Sequence, residues 1–348
     1  MERTVAKSPR AKEALALIEK LQKLFVDKLE SISQSQGESR PFTPVDWLRD
    51  EGTHGGGRRF VAPLETLFNR GSVNMSQVHY DDLPDKPLAS ATALSTIIHP
   101  HHPRCPSVHM HYSWTELKNG RGYWRVMADL NPSISDEIQK LDFEAALKGL
   151  AGDRYEEGSE QGEKYFYIPA LGRHRGVSHF YLEGYSTDDF EKDRDFVEFF
   201  ATGMIHTYCL IFEEALKKRL PITKEDQKLQ QDYHTLYFYQ VLTLDRGTTS
   251  GLMIHKQNDV GTLGSLPSHV NRELLSSWQD QTEHPQNHLV GKLVEQLSSE
   301  VCEVTEELKE RLAGAIRDHY TEFPGGLDKQ ARGDTLPTTV SNHGQDKD

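Results

Sequence analysis

Apolar residues recur at helical spacing toward both ends of the chain. Leucines and other apolar side chains between 11 and 33 fall on one stripe, which predicts an amphipathic helix. The same period predicts helices over 135–149 and 187–219, and a near-heptad stripe predicts a single helix over 286–318. A stripe of this last kind packs either into the core or against a second helix in a coiled coil, and we favour the core.

The middle of the chain alternates between apolar and polar residues, as a half-buried strand does. One face of this strand carries Val108, Met110, Tyr112 and Trp114, and the other carries His109, His111, Ser113 and Thr115. Asn119-Gly120 predicts a hairpin turn into a return strand over 123–130. Aromatic and β-branched residues predict further strands over 176–183 and 236–245. We therefore expect an α+β domain, with one antiparallel sheet covered by helices.

Composition suggests the domain boundaries and argues against two classes of partner. We expect a flexible N-terminus over 1–10, a single domain over 11–322, and a disordered, polar and glycine-rich tail over 323–348. No apolar run approaches the roughly 20 residues that cross a bilayer, so no membrane partner is expected. The net charge of −13 argues against nucleic acid. Three separated cysteines and no secretory signal lead us to expect a cytoplasmic protein with a small-molecule substrate.

Histidines are concentrated between residues 99 and 111, where five of them accompany one cysteine. On a strand, residues i and i+2 lie on one face roughly 7 Å apart, so His109 and His111 can approach one metal ion or one substrate. A lone histidine on a strand is usually a polar surface residue. The density of histidines here favours a functional site instead.

Several short motifs follow one another between about residues 43 and 267. They are Trp47 with Gly55–Gly57, Ser95–Ser107, Asp129–Pro132, Arg175–Val177 and Asp245–Thr248. In this order they resemble a tryptophan with a glycine-rich loop, SxxIHPxxPxxP, DLTP, RRGIGG and DRGT. These are motifs of the oxygen-dependent (aerobic) coproporphyrinogen III oxidases.

That resemblance implies a large flat antiparallel β-sheet between two layers of α-helices, and a homodimer. It also implies that O2 is the co-substrate that converts two propionates into vinyl groups, with release of carbon dioxide and hydrogen peroxide and no organic cofactor. By position, Ser95 and His99 match residues of the family's substrate or metal site. His109 matches its proposed general acid, and Asp129 matches an aspartate assigned to the pyrrole nitrogens of the macrocycle.

Several substrate-binding positions of that family differ here. Where the family has Asn-x-Arg, this chain has His111-Tyr112-Ser113, and the lost arginine would make bidentate bonds to a propionate. Val126-Met127-Ala128 replaces a glycine triplet on a surface that a flat macrocycle approaches closely. Other cations must replace the lost arginine, so the predicted substrate-binding residues are Ser95, His111, Ser113, Arg125, Arg175 and Lys256.

Two histidines are gained relative to that family, His111 in place of asparagine and His179 in place of glycine. With His99 and His109 they form a candidate metal site, for Fe(II) or Cu in preference to Zn; alternatively, His179 only fills space. With His109 and Asp129 as catalytic residues, these departures favour a divergent oxygen-dependent oxidase or oxidative decarboxylase, repurposed for a non-porphyrin substrate in specialised metabolism. The alternative is a genuine coproporphyrinogen III oxidase of heme biosynthesis with altered substrate contacts.

Overall fold

The computed structural model describes residues 2–64, 66–218 and 220–333. Its first helix, α1, runs Pro9–Ser35 and includes the predicted segment 11–33. The side chain of Ser8 caps it by accepting a hydrogen bond from the amide of Ala11, and Pro9 suits the first helical position, where no backbone donor is needed. Its apolar stripe is buried against the sheet.

Seven antiparallel strands form the central sheet, in the order β1-β2-β3-β4-β5-β6-β9. Their bounds are β1 Thr43–Leu48, β2 Gly55–Val61, β3 Phe68–His79, β4 Leu88–Pro100, β5 Ser107–Leu117, β6 Gly122–Asn131 and β9 Ser178–Tyr185. Two short ladders lie outside it, which pair β7 Tyr167–Ile168 with β8 Arg173–His174, and β10 His269–Asn271 with β11 Val301–Glu303. The predicted turn at Asn119-Gly120 joins β5 to β6.

Helices cover both faces of the sheet. One layer contains α1, α2 Glu137–Ala151 and α4 Phe190–Lys217. The other contains α3 Tyr155–Phe166, α5 Lys224–Thr243, α6 Arg246–Ile254, α7 Asp259–Thr262, α8 Arg272–Ser277, α9 Gln286–Gln296 and α10 Glu306–Glu322. Val108, Met110 and Tyr112 face the first layer, as their alternation predicts. The expected α+β architecture is confirmed.

Two predicted elements are wrong. The segment 236–245 is not a strand, because most of it belongs to α5, whose residues Tyr233–Thr243 are all buried. A helix buried on every side shows no polar face, so its aromatic run resembles a strand in sequence. The single helix predicted over 286–318 is divided into α9 and α10 by β11, and Thr305 caps the second helix. The near-heptad spacing continued across this break by coincidence.

The glycine-rich segment Gly55–Gly57 begins strand β2 and is part of the sheet. β2 pairs with β1 on one side and with β3 on the other. Side chains would collide there, since a Cβ on Gly56 would stand 2.2 Å from the carbonyl oxygen of Trp47. Glycine at this position therefore allows close approach of two backbones.

Both ends of the described chain contact the domain. Thr4 Oγ1 donates to the carbonyl of Gly52, and Ala6 is fully buried, within the segment predicted to be flexible. The tail predicted from 323 begins with a short 3-10 helix, Pro324–Lys329, and Gln330 donates to Thr249. Leu327 and Ala331 pack on the core between the sheet and α5 to α10, so contacts with the domain continue past residue 322. Residues 334–348 lie outside the described residues, and no described helix is long and apolar enough to cross a membrane.

Candidate active site

A cleft lies between the sheet and the helices α5 to α7. Its lining extends from Trp47 on β1 to Tyr181 and Glu183 on β9. Strand register aligns the side chains on its floor, where Ser95 lies opposite His111, and Ser113 lies opposite Arg125. Because strand residues alternate between faces, the predicted residues Ser95, His109, His111, Ser113 and Arg125 all face this cleft.

His109 lines the cleft and is held from behind by a buried ion pair. Its Nδ1 lies 3.2 Å from Asp129 Oδ1 and 3.4 Å from Arg175 Nη2. The other carboxylate oxygen of Asp129 accepts from Arg175 Nη2 at 2.9 Å and from Asn131 Nδ2 at 2.6 Å. With Nδ1 held there, Nε2 of His109 is the nitrogen available to a substrate.

Asp129 itself has no access to the cleft. Both Asp129 and Arg175 are 0% exposed, and neither belongs to the cleft lining. Burial raises the pKa of the Asp129 carboxyl, but the Arg175 guanidinium and His109 outweigh it, so the pKa lies below its ordinary value. Asp129 therefore contacts His109 from behind and does not present its carboxylate to the cleft.

Two of the predicted substrate-binding cations lie elsewhere. Arg175 points inward because Gly176, with φ +81°, turns the backbone before β9. The guanidinium then packs over the rings of Phe166 and Tyr237, 4.8 and 4.9 Å from their centroids. Lys256 is exposed on a 3-10 turn and does not line the cleft. Sequence position alone did not indicate these orientations.

Arg125 is the predicted cation that the structure brings into the cleft. Its guanidinium lies 5.4 Å from the Tyr123 ring centroid and makes no hydrogen bond or ion pair with a residue that the structure describes. Ser113, directly opposite on β5, occupies the position where the resembled motif has its arginine. A guanidinium group therefore lies in the cleft beside this position, on strand β6 instead of β5.

His111 faces the cleft between Ser95 and Met127 in the register of the sheet. Burial, together with the positive charges of His109 and Arg125, lowers its pKa to about 3. The imidazole is therefore neutral at physiological pH and offers one donor and one acceptor.

A protein-family model matches most of the chain. The model of the coproporphyrinogen III oxidase family matches residues 13–299. This chain belongs to the coproporphyrinogen III oxidase family. Membership supports an oxidoreductase of the oxidative-decarboxylase kind, with a small-molecule substrate.

The four histidines proposed from the sequence as metal ligands do not converge in this family member. His99 is fully buried and is not part of the cleft lining. Its Nδ1 lies 3.0 Å from Ser107 Oγ, and its ring packs on His234 and Tyr237. Asp129 is the register partner of both His109 and His179, so the backbones of these two histidines lie two strand spacings apart, roughly 10 Å. No group of three or more His, Cys, Asp or Glu within the described ranges is arranged to hold a metal.

His179 is occupied by two acceptors. Its Nδ1 lies 2.9 Å from Glu163 Oε1, and its Nε2 lies 2.7 Å from the carbonyl oxygen of Arg175. Both ring nitrogens are therefore directed at oxygen atoms of the protein and not at the other predicted ligands. The residues present do not fit the predicted Fe(II) or Cu site, and His179 instead fixes the turn that aims Arg175 at Asp129.

Sequence reasoning missed a polar network at the β9 end of the cleft. Tyr165 donates to Asp245 Oδ2 at 2.7 Å, and Arg246 donates to Glu183 Oε1 at 2.8 Å. Asp245 also caps α6 by accepting from the amide of Thr248. The Asp-Arg-Gly-Thr motif was the available signal, but assigning 236–245 to a strand hid its place at a helix start.

Proposed function

We propose that this protein is an oxygen-dependent oxidative decarboxylase whose substrate is a carboxylate other than coproporphyrinogen III. The burial of Asp129 carries this proposal. An aspartate that holds pyrrole nitrogens must present its carboxylate to them, whereas this carboxylate is committed to Arg175 and Asn131. Breaking a buried ion pair to release one partner is strongly unfavourable, by about 3–5 kcal/mol.

The floor of the cleft supports the same proposal. Met127 lines the cleft between His111 and Tyr181, where the resembled motif has glycine. Its side chain fills space that a flat macrocycle lying on the sheet would need. A smaller or differently shaped substrate avoids this contact.

Arg125 and His109 have the chemistry for decarboxylation of a propionate. Arg125 binds the carboxylate as a bidentate partner. The β C–H bond breaks and its hydrogen passes to O2 together with the bonding electron pair, which gives hydroperoxide, while the C–C bond to the carboxylate breaks, its electron pair forms the new C=C bond and CO2 is released. The side chain becomes a vinyl group, and His109 Nε2 donates the proton that completes hydrogen peroxide. Within this reaction O2 is the only oxidant, and no organic cofactor takes part.

A genuine coproporphyrinogen III oxidase is the second candidate. The breadth of the cleft favours it, because the lining crosses the whole face of the sheet from β1 to β9. Under this alternative, Arg125 and Arg246 bind the propionates without help from Asp129. We further propose, from family membership, that the protein is a cytoplasmic homodimer.

A substrate panel tests the proposal. Purified protein is incubated under O2 with heteroaromatic propionates of one or two rings, and vinyl product, CO2 and peroxide are measured. We expect turnover of at least one such compound in a ratio of one CO2 to one peroxide. Absence of turnover across the panel, together with activity on a tetrapyrrole, would favour the second candidate.

A further inference from the structure

Three cations lie beside the β2–β3 end of the cleft, just behind the residues that line it, and have almost no partners among the described residues. They are Arg59 on β2, Arg70 on β3 and Lys309 on α10, which follows the segment matched by the family model. Within the described residues they make one hydrogen bond, from Arg70 Nε to the carbonyl of Leu266 at 3.1 Å, and no ion pair. Lys309 is only 4% exposed.

These side chains also influence one another electrostatically. Burial lowers the pKa of the Lys309 ammonium to about 8, and the positive charges of Arg70 and Arg59 contribute. The negative charge of Glu306 acts in the opposite direction on all three cations, and that of Glu303 does so on Arg70. Both glutamates are exposed, and neither forms an ion pair with the cluster among the described residues. Arg59 and Arg70 are half-buried and Lys309 is buried. Because buried charges are normally paired, the unpaired ammonium of Lys309 suits an anionic ligand.

The cluster adjoins the cleft. Arg59 Nη1 lies 2.2 Å from the point where a Cβ on Gly261 would stand, and Gly261 lines the cleft. Asn74, the register partner of Arg59, lines it as well, and so does Ser265, which precedes the acceptor of Arg70. Arg59 and Arg125 stand four strand spacings apart, roughly 19 Å.

We propose that Arg59, Arg70 and Lys309 form an anion-binding subsite that receives a second carboxylate of an elongated substrate. This inference rests on the proposed function, in which Arg125 holds the carboxylate that is lost. The subsite supplies three cations in a partly desolvated setting, where charge-assisted hydrogen bonds are strong. The substrate is then a dianion whose acidic groups lie far apart.

Binding of inorganic phosphate, measured without turnover, tests the subsite separately from the reaction. We expect phosphate to raise the melting temperature of the wild-type protein, and Lys309→Met to weaken phosphate binding at least about tenfold. Lys309→Met is also expected to melt higher than wild type in phosphate-free buffer, because an unpaired buried charge is removed. Arg59→Gln should weaken phosphate binding too. Lys292→Met, which removes a surface partner of Glu322, is the matched control.

Long α,ω-dicarboxylates then distinguish a substrate group from a free anion. We expect a dicarboxylate to bind more tightly than a monocarboxylate of equal length, and both Lys309→Met and Arg125→Gln to remove that advantage. The phosphate binding that Lys309→Met weakens should persist in Arg125→Gln. Unaltered phosphate binding in Lys309→Met and Arg59→Gln overturns the subsite, and equal binding of mono- and dicarboxylates overturns its assignment to the substrate.

Discussion

At the scale of single residues, some of the predicted site residues face the cleft and others are buried beneath it. Arg125 and Arg175 are both arginines predicted to replace the lost cation, yet one faces the cleft and the other is buried against Asp129. Periodicity predicts the orientation of Arg125, because it lies inside a strand. Arg175 precedes a glycine turn, where no period applies, so its direction could not be predicted from the sequence.

Arg125 is the residue whose loss should affect substrate binding most. We expect Arg125→Gln to lower kcat/KM about 10- to 100-fold for any carboxylate that the protein turns over, because a charge-assisted hydrogen bond contributes about 1.5–3 kcal/mol. Arg125→Lys should recover part of this activity. The control is Arg121→Gln, which removes the same charge from the exposed hairpin. Equal activity of the Arg125 and Arg121 variants would rule out this role.

Replacing Asp129 should lower the stability of the folded protein. Asp129→Asn leaves Arg175 buried and uncompensated, so we expect the free energy of unfolding to fall by about 3–5 kcal/mol in denaturant titrations. The double variant Asp129→Asn, Arg175→Met should recover much of this loss. Asp27→Asn, which breaks an exposed pair with Lys23, should change stability by less than about 1 kcal/mol. If Asp129→Asn also lowered the free energy of unfolding by less than about 1 kcal/mol, the Asp129–Arg175 ion pair would not be buried in solution.

At the scale of elements, the strands were the most predictable part of the structure and α5 was the least. The alternation over β5 and the Asn-Gly turn identify a half-buried hairpin directly. α5 has no polar face over its second half, and the strength of its burial removed the signal that identifies a helix. The break between α9 and α10 was hidden for a different reason, since β11 continues the apolar spacing.

Because α5 is buried, the stability of the protein should depend on pH. Burial lowers the pKa of His234 to about 3, below the value near 6.5 of an unfolded chain. Between these two pH values the unfolded state therefore binds more protons than the folded state does. The free energy of unfolding consequently falls as pH is lowered from about 6.5 toward 3. We expect His234→Phe to reduce the slope of unfolding free energy against pH by up to about 1.4 kcal/mol per pH unit. Parallel pH curves for variant and wild type would contradict the buried neutral state.

At the scale of the whole molecule, the fold is that of the family while the contents of the cleft differ from it. The ordered motifs were sufficient to identify the family and the sandwich architecture. Convergence of four histidines could not be judged from sequence, because it depends on which acceptors surround His99 and His179. The position of Lys309 was equally hidden, since α10 lies beyond the matched segment and comes near Arg59 and Arg70 only through the tertiary fold.

Turnover of coproporphyrinogen III tests the central claim most directly. Freshly reduced substrate is incubated with the purified protein and O2, and tetrapyrroles and CO2 are quantified against a protein-free control. With Asp129 committed to Arg175, we expect no protoporphyrinogen IX above the control, while a smaller heteroaromatic propionate is decarboxylated by the same preparation. Formation of protoporphyrinogen IX with two molecules of CO2 per substrate would contradict the proposal.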